Sequence, residues 1–239
     1  MSASRDHSQR AATVRERTPA TDDKESSVPR TRIKICGLTT VEDAAAAVAC
    51  GADAIGLVFA PSSPRRVSLD RAAEIVASLP PFVTAVGVFQ LSGKGVDADF
   101  EQWKTLSPWA QLHGDEDERV ARQASRGRRL IKGFRFSSSA VRQWAGCTHI
   151  ELLLVEGSRP GSGQAWDFTS LAAMRDEIRK PIALAGGLNI DNVAEAIRAV
   201  RPFAVDVSTG VESAPGRKDA AMIRAFCQAV READASIDA

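Results

Sequence analysis

From Arg32 onward the chain repeats one unit eight times: a short β-branched apolar run, then an amphipathic stretch with helical spacing. The strands are expected at Arg32–Ile35, Ala54–Phe59, Thr84–Phe89, Trp109–Leu112, Arg129–Gly133, Ile150–Val155, Pro181–Ala185 and Phe203–Val207. Helices are expected near Val41–Cys50, Leu69–Ser78, Asp97–Thr105 and Glu116–Ser125, as a short piece around Ala140, and then near Ser170–Ile178, Ile190–Val200 and Ala220–Ala233. Strict alternation implies a parallel sheet with right-handed crossovers. Eight such units close into a (β/α)8 TIM barrel, an α/β fold in which a single domain spans residues 32–239. The competing architecture, an open doubly wound sheet, usually begins with a G-x-G-x-x-G loop after the first strand. Here that loop is Cys36-Gly37-Leu38-Thr39.

Composition narrows the function classes. The 31 basic and 30 acidic residues leave a formal net charge of +1, which gives nucleic acid no electrostatic footprint. No apolar run approaches the roughly 18 to 20 residues that span a bilayer, and the N-terminus has no apolar signal region. The four cysteines, Cys36, Cys50, Cys147 and Cys227, are scattered without a Cys-x-x-Cys pair, and no His/Asp/Glu cluster has metal spacing. They read as free thiols of a cytoplasmic protein. Residues 1–31 are polar and poor in large apolar side chains, so a disordered N-terminal extension is expected.

A barrel carries its chemistry on the loops after the strands. Those loops hold Cys36, then Pro61-Ser62-Ser63-Pro64-Arg65-Arg66, Gln111-Leu112-His113-Gly114-Asp115, Glu156 with Gly161-Ser162-Gly163, Gly186-Gly187, and Ser208-Thr209-Gly210 just beyond Asp206. Two glycine-containing loops after the seventh and eighth strands suit a phosphate group, because glycine lets the backbone approach an anion and helix N-termini offer free N–H groups. Arg65 could grip a carboxylate through its two-pronged guanidinium; as a loop arginine it could equally be solvated, as Arg66 is expected to be. Glu156 and Asp206 could act as general acids if their pKa values were raised, or serve as caps and loop ion pairs. Cys36 could be a base or a small core residue. His113 could touch the ligand or be hydrogen-bonded scaffold. Asp115 reads as the cap of the helix that follows.

In this order, several stretches resemble the phosphoribosylanthranilate isomerase family of tryptophan biosynthesis. They are Lys34-Ile35-Cys36-Gly37-Leu38-Thr39, Gly51–Phe59, Ser63-Pro64-Arg65, Val86-Gly87-Val88-Phe89, Gln111-Leu112-His113-Gly114-Asp115, Gly161-Ser162-Gly163-Gln164, Leu184–Leu188, Phe203–Glu212 and Pro215–Asp219. The resemblance implies an acid–base Amadori rearrangement of N-(5-phosphoribosyl)anthranilate to 1-(2-carboxyphenylamino)-1-deoxyribulose 5-phosphate. It implies Cys36 as the base, Arg65 as the anthranilate-binding arginine, Gly186, Gly187, Ser208, Thr209 and Gly210 as the phosphate loops, and Asp206 near the substrate. His113 joins these as a substrate-side group. No cofactor and no metal are implied, because the imine formed from the substrate is already the electron sink. The implied partner is a small phosphosugar, with neither nucleic acid nor membrane, in a monomer or a homodimer.

One departure stands out. The family's general acid is an aspartate a few residues before the Gly-Ser-Gly, and Glu156 occupies that position. A smaller one is Ala165-Trp166-Asp167-Phe168, where aromatic and acidic residues are kept in a different order. A barrel that binds phosphorylated ligands without turnover is the alternative in another class. A histidine-pathway isomerase with aspartates at both catalytic strand ends is the alternative of the same kind, and Cys36 speaks against it.

Overall fold

The computed structural model describes residues 30–91, 95–157 and 168–237. Eight parallel strands close in sequence order: β1 Arg32–Cys36, β2 Ala54–Val58, β3 Thr84–Phe89, β4 Trp109–Leu112, β5 Arg129–Arg135, β6 Leu152–Glu156, β7 Ile182–Ala185 and β8 Ala204–Val207. Around them run α1 Val41–Ala49, α2 Leu69–Ala77, α3 Ala98–Trp103, α4 Glu118–Ala124, α5 Ser138–Gly146, α6 Phe168–Ala173, α7 Val193–Val200 and α8 Ala220–Ala235. A two-stranded hairpin, β9 Glu212–Ala214 and β10 Arg217–Lys218, stands between β8 and α8. The expected (β/α)8 barrel is the observed fold.

The two-residue period of a strand sorts side chains into two cores. Ile33 and Ile35, Leu153 and Val155, and Val205 and Val207 point outward into the layer shared with the helices. The alternate positions point into the barrel, where Val86, Ile131, Leu152, Leu154, Ala183, Ala185 and Ala204 fill the lower interior. Continuing the inward row upward gives Cys36 on β1, Gln111 on β4, Arg135 on β5, Glu156 on β6 and Asp206 on β8, so one periodicity delivers five polar or reactive side chains to the C-terminal mouth.

Helix starts follow local chemistry. The side chains of Thr40, Ser68, Asp97, Ser137 and Asp219 accept N–H groups of the first turns of α1, α2, α3, α5 and α8. At α4 the cap is Asp117, whose Oδ1 accepts Val120 N–H at 2.8 Å; Asp115, expected in that role, does not fill it. The reason is Glu116, which is drawn inside to accept N–H groups from Leu91 and Gly114 and to pair with Lys132 at 2.6 Å. The helix begins only after that residue has been placed. The helix expected around Ala140 is nine residues long, anchored by buried Val141 and Trp144.

The barrel is fastened where it begins. Thr31 N–H and Oγ1 both bond the Asp234 carboxylate of α8, and Arg30 pairs with Asp53. These contacts fall within the stretch expected to be a disordered extension through residue 31; residues 1–29 lie outside the described residues.

Candidate active site

Cys36, Arg65, His113, Glu156, Gly186, Gly187, Asp206, Ser208 and Thr209 border one cavity of about 310 Å³ at the mouth of the barrel. Of the expected site residues only Gly210 does not line it. A Cβ at Gly210 would stand 2.1 Å from the Leu188 carbonyl oxygen, so this glycine lets the loops after β7 and β8 pack together beneath the cavity. The Gly161-Ser162-Gly163 stretch lies outside the described residues.

On β1 the thiol of Cys36 is buried next to the Lys34 side chain, two residues earlier on the same inward face. Lys34 and Asp206 are direct register partners across the β1–β8 seam, and Lys34 Nζ donates to Asp206 Oδ1 at 2.9 Å with both side chains 8% exposed. Burial works against the Lys34 ammonium, but Asp206 and Cys36 outweigh it and hold its proton more tightly than usual. Burial pushes the Cys36 thiol up, Lys34 and Lys218 pull it down, and the balance stays above the ordinary value. Gly56 on the neighbouring strand makes room for this thiol, since a Cβ there would sit 2.6 Å from Sγ.

Arg65 is held by a second charge network. Its Nε and Nη2 donate to the two oxygens of Glu212, each at 2.7 Å, and Lys218 Nζ reaches Glu212 Oε1 at 2.7 Å and Ser208 O at 3.0 Å. The two cations outweigh burial and hold the Glu212 carboxyl at about 2. Glu212 and Lys218 are supplied by the β9–β10 hairpin. Gly37, with φ +78°, turns the chain under Arg65; any Cβ there would stand 2.4 Å from Arg65 Cδ.

The carboxylate at the end of β6 faces an imidazole. Glu156 Oε1 lies 3.1 Å from His113 Nε2, and His113 Nδ1 lies 2.7 Å from Gln111 Nε2. Burial raises the Glu156 pKa, but the hydrogen bond from His113, together with the charges of Arg135 and Lys34, outweighs it and leaves the carboxyl below its ordinary value. The condition set for it as a general acid, a raised pKa, is therefore not met in the free site, where neighbouring groups favour the ionised form. Arg135, the register partner of Glu156 on β5, also lines the cavity.

The loops after β7 and β8 border the cavity with backbone suited to an anion. Gly186 and Gly187 are consecutive left-handed residues with φ +76° and +82°, a turn that side-chain-bearing residues resist. After β8 a short 3-10 helix runs Thr209–Val211, and Ser208 ahead of it makes no side-chain cap. First-turn N–H groups in such a place favour an anion. Among the described residues no group of His, Cys, Asp and Glu could hold a metal ion.

Residues 33–229 match the family model for N-(5'-phosphoribosyl)anthranilate (PRA) isomerase. The chain is 47% identical over 219 residues to N-(5'-phosphoribosyl)anthranilate isomerase of Leptothrix cholodnii, covering 89% of this chain and 97% of that one. The chain belongs to the N-(5'-phosphoribosyl)anthranilate isomerase family. The crystal structure of phosphoribosyl anthranilate isomerase from Thermotoga maritima superposes with a TM-score of 0.75 at 36% identity, covering 84% of this chain and 99% of that one. A phosphoribosyl anthranilate isomerase in complex with reduced 1-(o-carboxyphenylamino)-1-deoxyribulose 5-phosphate gives a TM-score of 0.72, again at 36% identity and with the same coverage.

Membership explains the loop motifs but not every neighbour in the site. Sequence reasoning assigned no role to Lys34, Gln111 or Arg135, although the first two lie inside family motifs. Each is an inward residue of a strand, and a polar residue at an inward position near a strand's C-terminal end was the available signal. Glu212 and Lys218 were also missed, because the hairpin that brings them back to Arg65 and Ser208 has no strand-length apolar run.

Proposed function

We propose that this cavity isomerises N-(5-phosphoribosyl)anthranilate to 1-(2-carboxyphenylamino)-1-deoxyribulose 5-phosphate. The observation that carries this reading is that one cavity is bordered by a thiol, a carboxyl, an arginine and two glycine loops, the groups that this substrate requires together.

The phosphate sits between Gly186-Gly187 and Ser208-Thr209, and Gly210 keeps those loops close. Arg65, oriented by Glu212, takes the anthranilate carboxylate with its remaining N–H groups. These two anchors at opposite ends stretch the sugar across the mouth. Glu156, in its protonated form, gives a proton to the furanose ring oxygen; the C1–O bond breaks, and the anthranilate nitrogen lends its pair to form the iminium. The Cys36 thiolate then takes the proton from C2, and the freed electron pair forms the C1–C2 double bond while the iminium is neutralised. The resulting enolamine tautomerises to the 2-ketone. Lys34 beside Cys36 stabilises the thiolate, and Asp206 fixes Lys34 and faces the sugar hydroxyls. Neither metal nor cofactor is needed. The substitution of glutamate for the family's aspartate is accommodated by His113, which holds the longer side chain through Oε1. A cytoplasmic setting fits the same reading, since it keeps Cys36 reduced.

Turnover of N-(5-phosphoribosyl)anthranilate, generated in situ and followed by loss of anthranilate-type fluorescence, tests the proposal in the wild type and in Cys36→Ala, Glu156→Ala and Glu156→Asp. An active wild type with both alanine variants dead is expected. An inactive wild type revived by Glu156→Asp would instead mark a binding barrel that has lost its turnover.

A further inference from the structure

The chain of contacts Gln111–His113–Glu156 does more than fill the wall of the cavity. Gln111 is 1% exposed. Its amide nitrogen lies 2.7 Å from His113 Nδ1, while its carbonyl Oε1 is turned away, buried and without a hydrogen-bond partner among the described residues. At the other side of the ring, His113 Nε2 lies 3.1 Å from Glu156 Oε1. The ring is seated against β5 because residue 133 is glycine: a Cβ there would stand 2.3 Å from Nδ1 and 2.9 Å from Cε1.

These two contacts set boundary conditions on the ring. An ionised carboxylate only accepts hydrogen bonds, so Nε2 must carry a proton to meet it. With the Gln111 amide turned so that its NH2 faces the ring, Nδ1 must be bare to meet it, because an amide NH2 only donates. Both conditions are satisfied by one species, the neutral ring with its hydrogen on Nε2. An imidazolium would point an N–H at the Gln111 NH2 group, donor against donor.

We propose that Gln111 is a positioning residue that keeps His113 as the neutral Nε2–H tautomer, so that Glu156 is held in place by a neutral donor and stays able to take up the proton it delivers to substrate. This inference rests on the isomerase reading above. An imidazolium in that place would hold the carboxylate ionised and work against a general acid. The other charged groups facing the pair are Arg135 on β5 and Lys34 on β1, and both already favour the ionised form. The neutrality of the ring therefore matters more here than it would in a site without those cations.

The decisive measurement is the two-dimensional 15N–1H spectrum of uniformly 15N-labelled protein at neutral pH, correlating ring nitrogens with ring carbon-bound protons. His113→Asn assigns the signals by loss, since His7 and His149 are the other two histidines. His113 is expected to show a pyridine-type Nδ1 and a pyrrole-type Nε2. In Gln111→Glu, where a carboxylate replaces the amide, both nitrogens are expected to become protonated, with kcat lowered roughly tenfold or more and KM changed less than about threefold. A wild-type ring that is doubly protonated, or that carries its single proton on Nδ1, overturns the proposal without any variant. So does a Gln111→Glu protein whose ring is doubly protonated but whose kcat is unchanged. If the wild type fails to turn over N-(5-phosphoribosyl)anthranilate while the spectrum shows the Nε2–H ring, the isomerase reading fails and the tautomer assignment survives.

Discussion

Arg65 and Glu212 meet side-on, Nε to Oε1 and Nη2 to Oε2, both at 2.7 Å. A bidentate pair fixes the plane of the guanidinium as well as its position, and Lys218 fixes the carboxylate in turn. The arginine is thus oriented before any ligand arrives, with its other edge at the cavity. Glu212→Gln removes the charge that holds the fork. KM should rise about tenfold with kcat within about threefold of wild type, and Arg65→Ala should raise KM about a hundredfold or more. Steady-state kinetics decides; a fall confined to kcat would place Arg65 in the chemistry and not in binding.

Gly56 is a test of how closely the thiol is seated. In Gly56→Ala the new methyl carbon falls 2.6 Å from Cys36 Sγ, so the side chain of Cys36 must move. A displacement of about 1 Å can cost on the order of a hundredfold in rate. The expected variant is folded by circular dichroism and binds a product analogue, yet loses about that factor in kcat. Unchanged kcat would show that the base lies elsewhere.

The protonation states of the free site favour the wrong partners. Burial keeps Cys36 above its ordinary value, while His113, Arg135 and Lys34 hold Glu156 below its own despite burial. The proposed mechanism needs the Cys36 thiolate and the Glu156 carboxylic acid. That minority form keeps a constant share of the protein at every pH between the two values, because each unit of pH multiplies one factor by ten and divides the other by ten. A plot of kcat/KM against pH should therefore be flat through neutrality. On the acid side it falls where Glu156 titrates, since the carboxyl is fully protonated while thiolate still shrinks. On the alkaline side it falls where Cys36 titrates, for the converse reason. A profile that climbs steadily from pH 6 to pH 9 would contradict this pairing.

Lys132 and Glu116 form an ion pair with side chains 3% and 0% exposed, tying the loops after β3 and β4 to β5. Removing one partner of a buried pair leaves the other charge uncompensated, which costs about 3–5 kcal/mol. Lys132→Met should lower the midpoint of urea unfolding by that equivalent. A loss under about 1 kcal/mol would mean that water reaches Glu116 once the lysine is gone.

The barrel was legible because its strands are short apolar runs buried on both faces, and a run such as Leu152–Val155 suits little else. The ends of elements were less legible. Glu116 looks like a helix residue until Lys132, sixteen positions away, draws it inside. The reactive loops were readable from residue type: a cysteine, an arginine, a carboxylate and glycines at strand ends. What could not be read was how charges would cancel. Lys34 in an apolar strand is ambiguous alone and becomes a site residue only when closure sets Asp206 beside it. For Glu156 the chain left open whether burial or neighbouring charge would prevail, and the residues that decide the sign, His113 and Arg135, come from two other strands. Burial can be guessed along a chain, whereas the balance of burial against charge depends on neighbours across the barrel.

The seam between β1 and β8 also has a consequence in time. Lys34 and Asp206 are 172 positions apart, and a ribosome adding roughly 5 to 20 residues per second needs on the order of ten seconds or more to cover that distance. For that interval a nascent chain holds its cysteine and lysine without the strand that will flank them, and Thr31 waits longer still for Asp234. The Lys34–Asp206 contact beside Cys36 can therefore form only once β8 has been synthesised, and a chain released short of α8 lacks Asp234, the partner of Thr31.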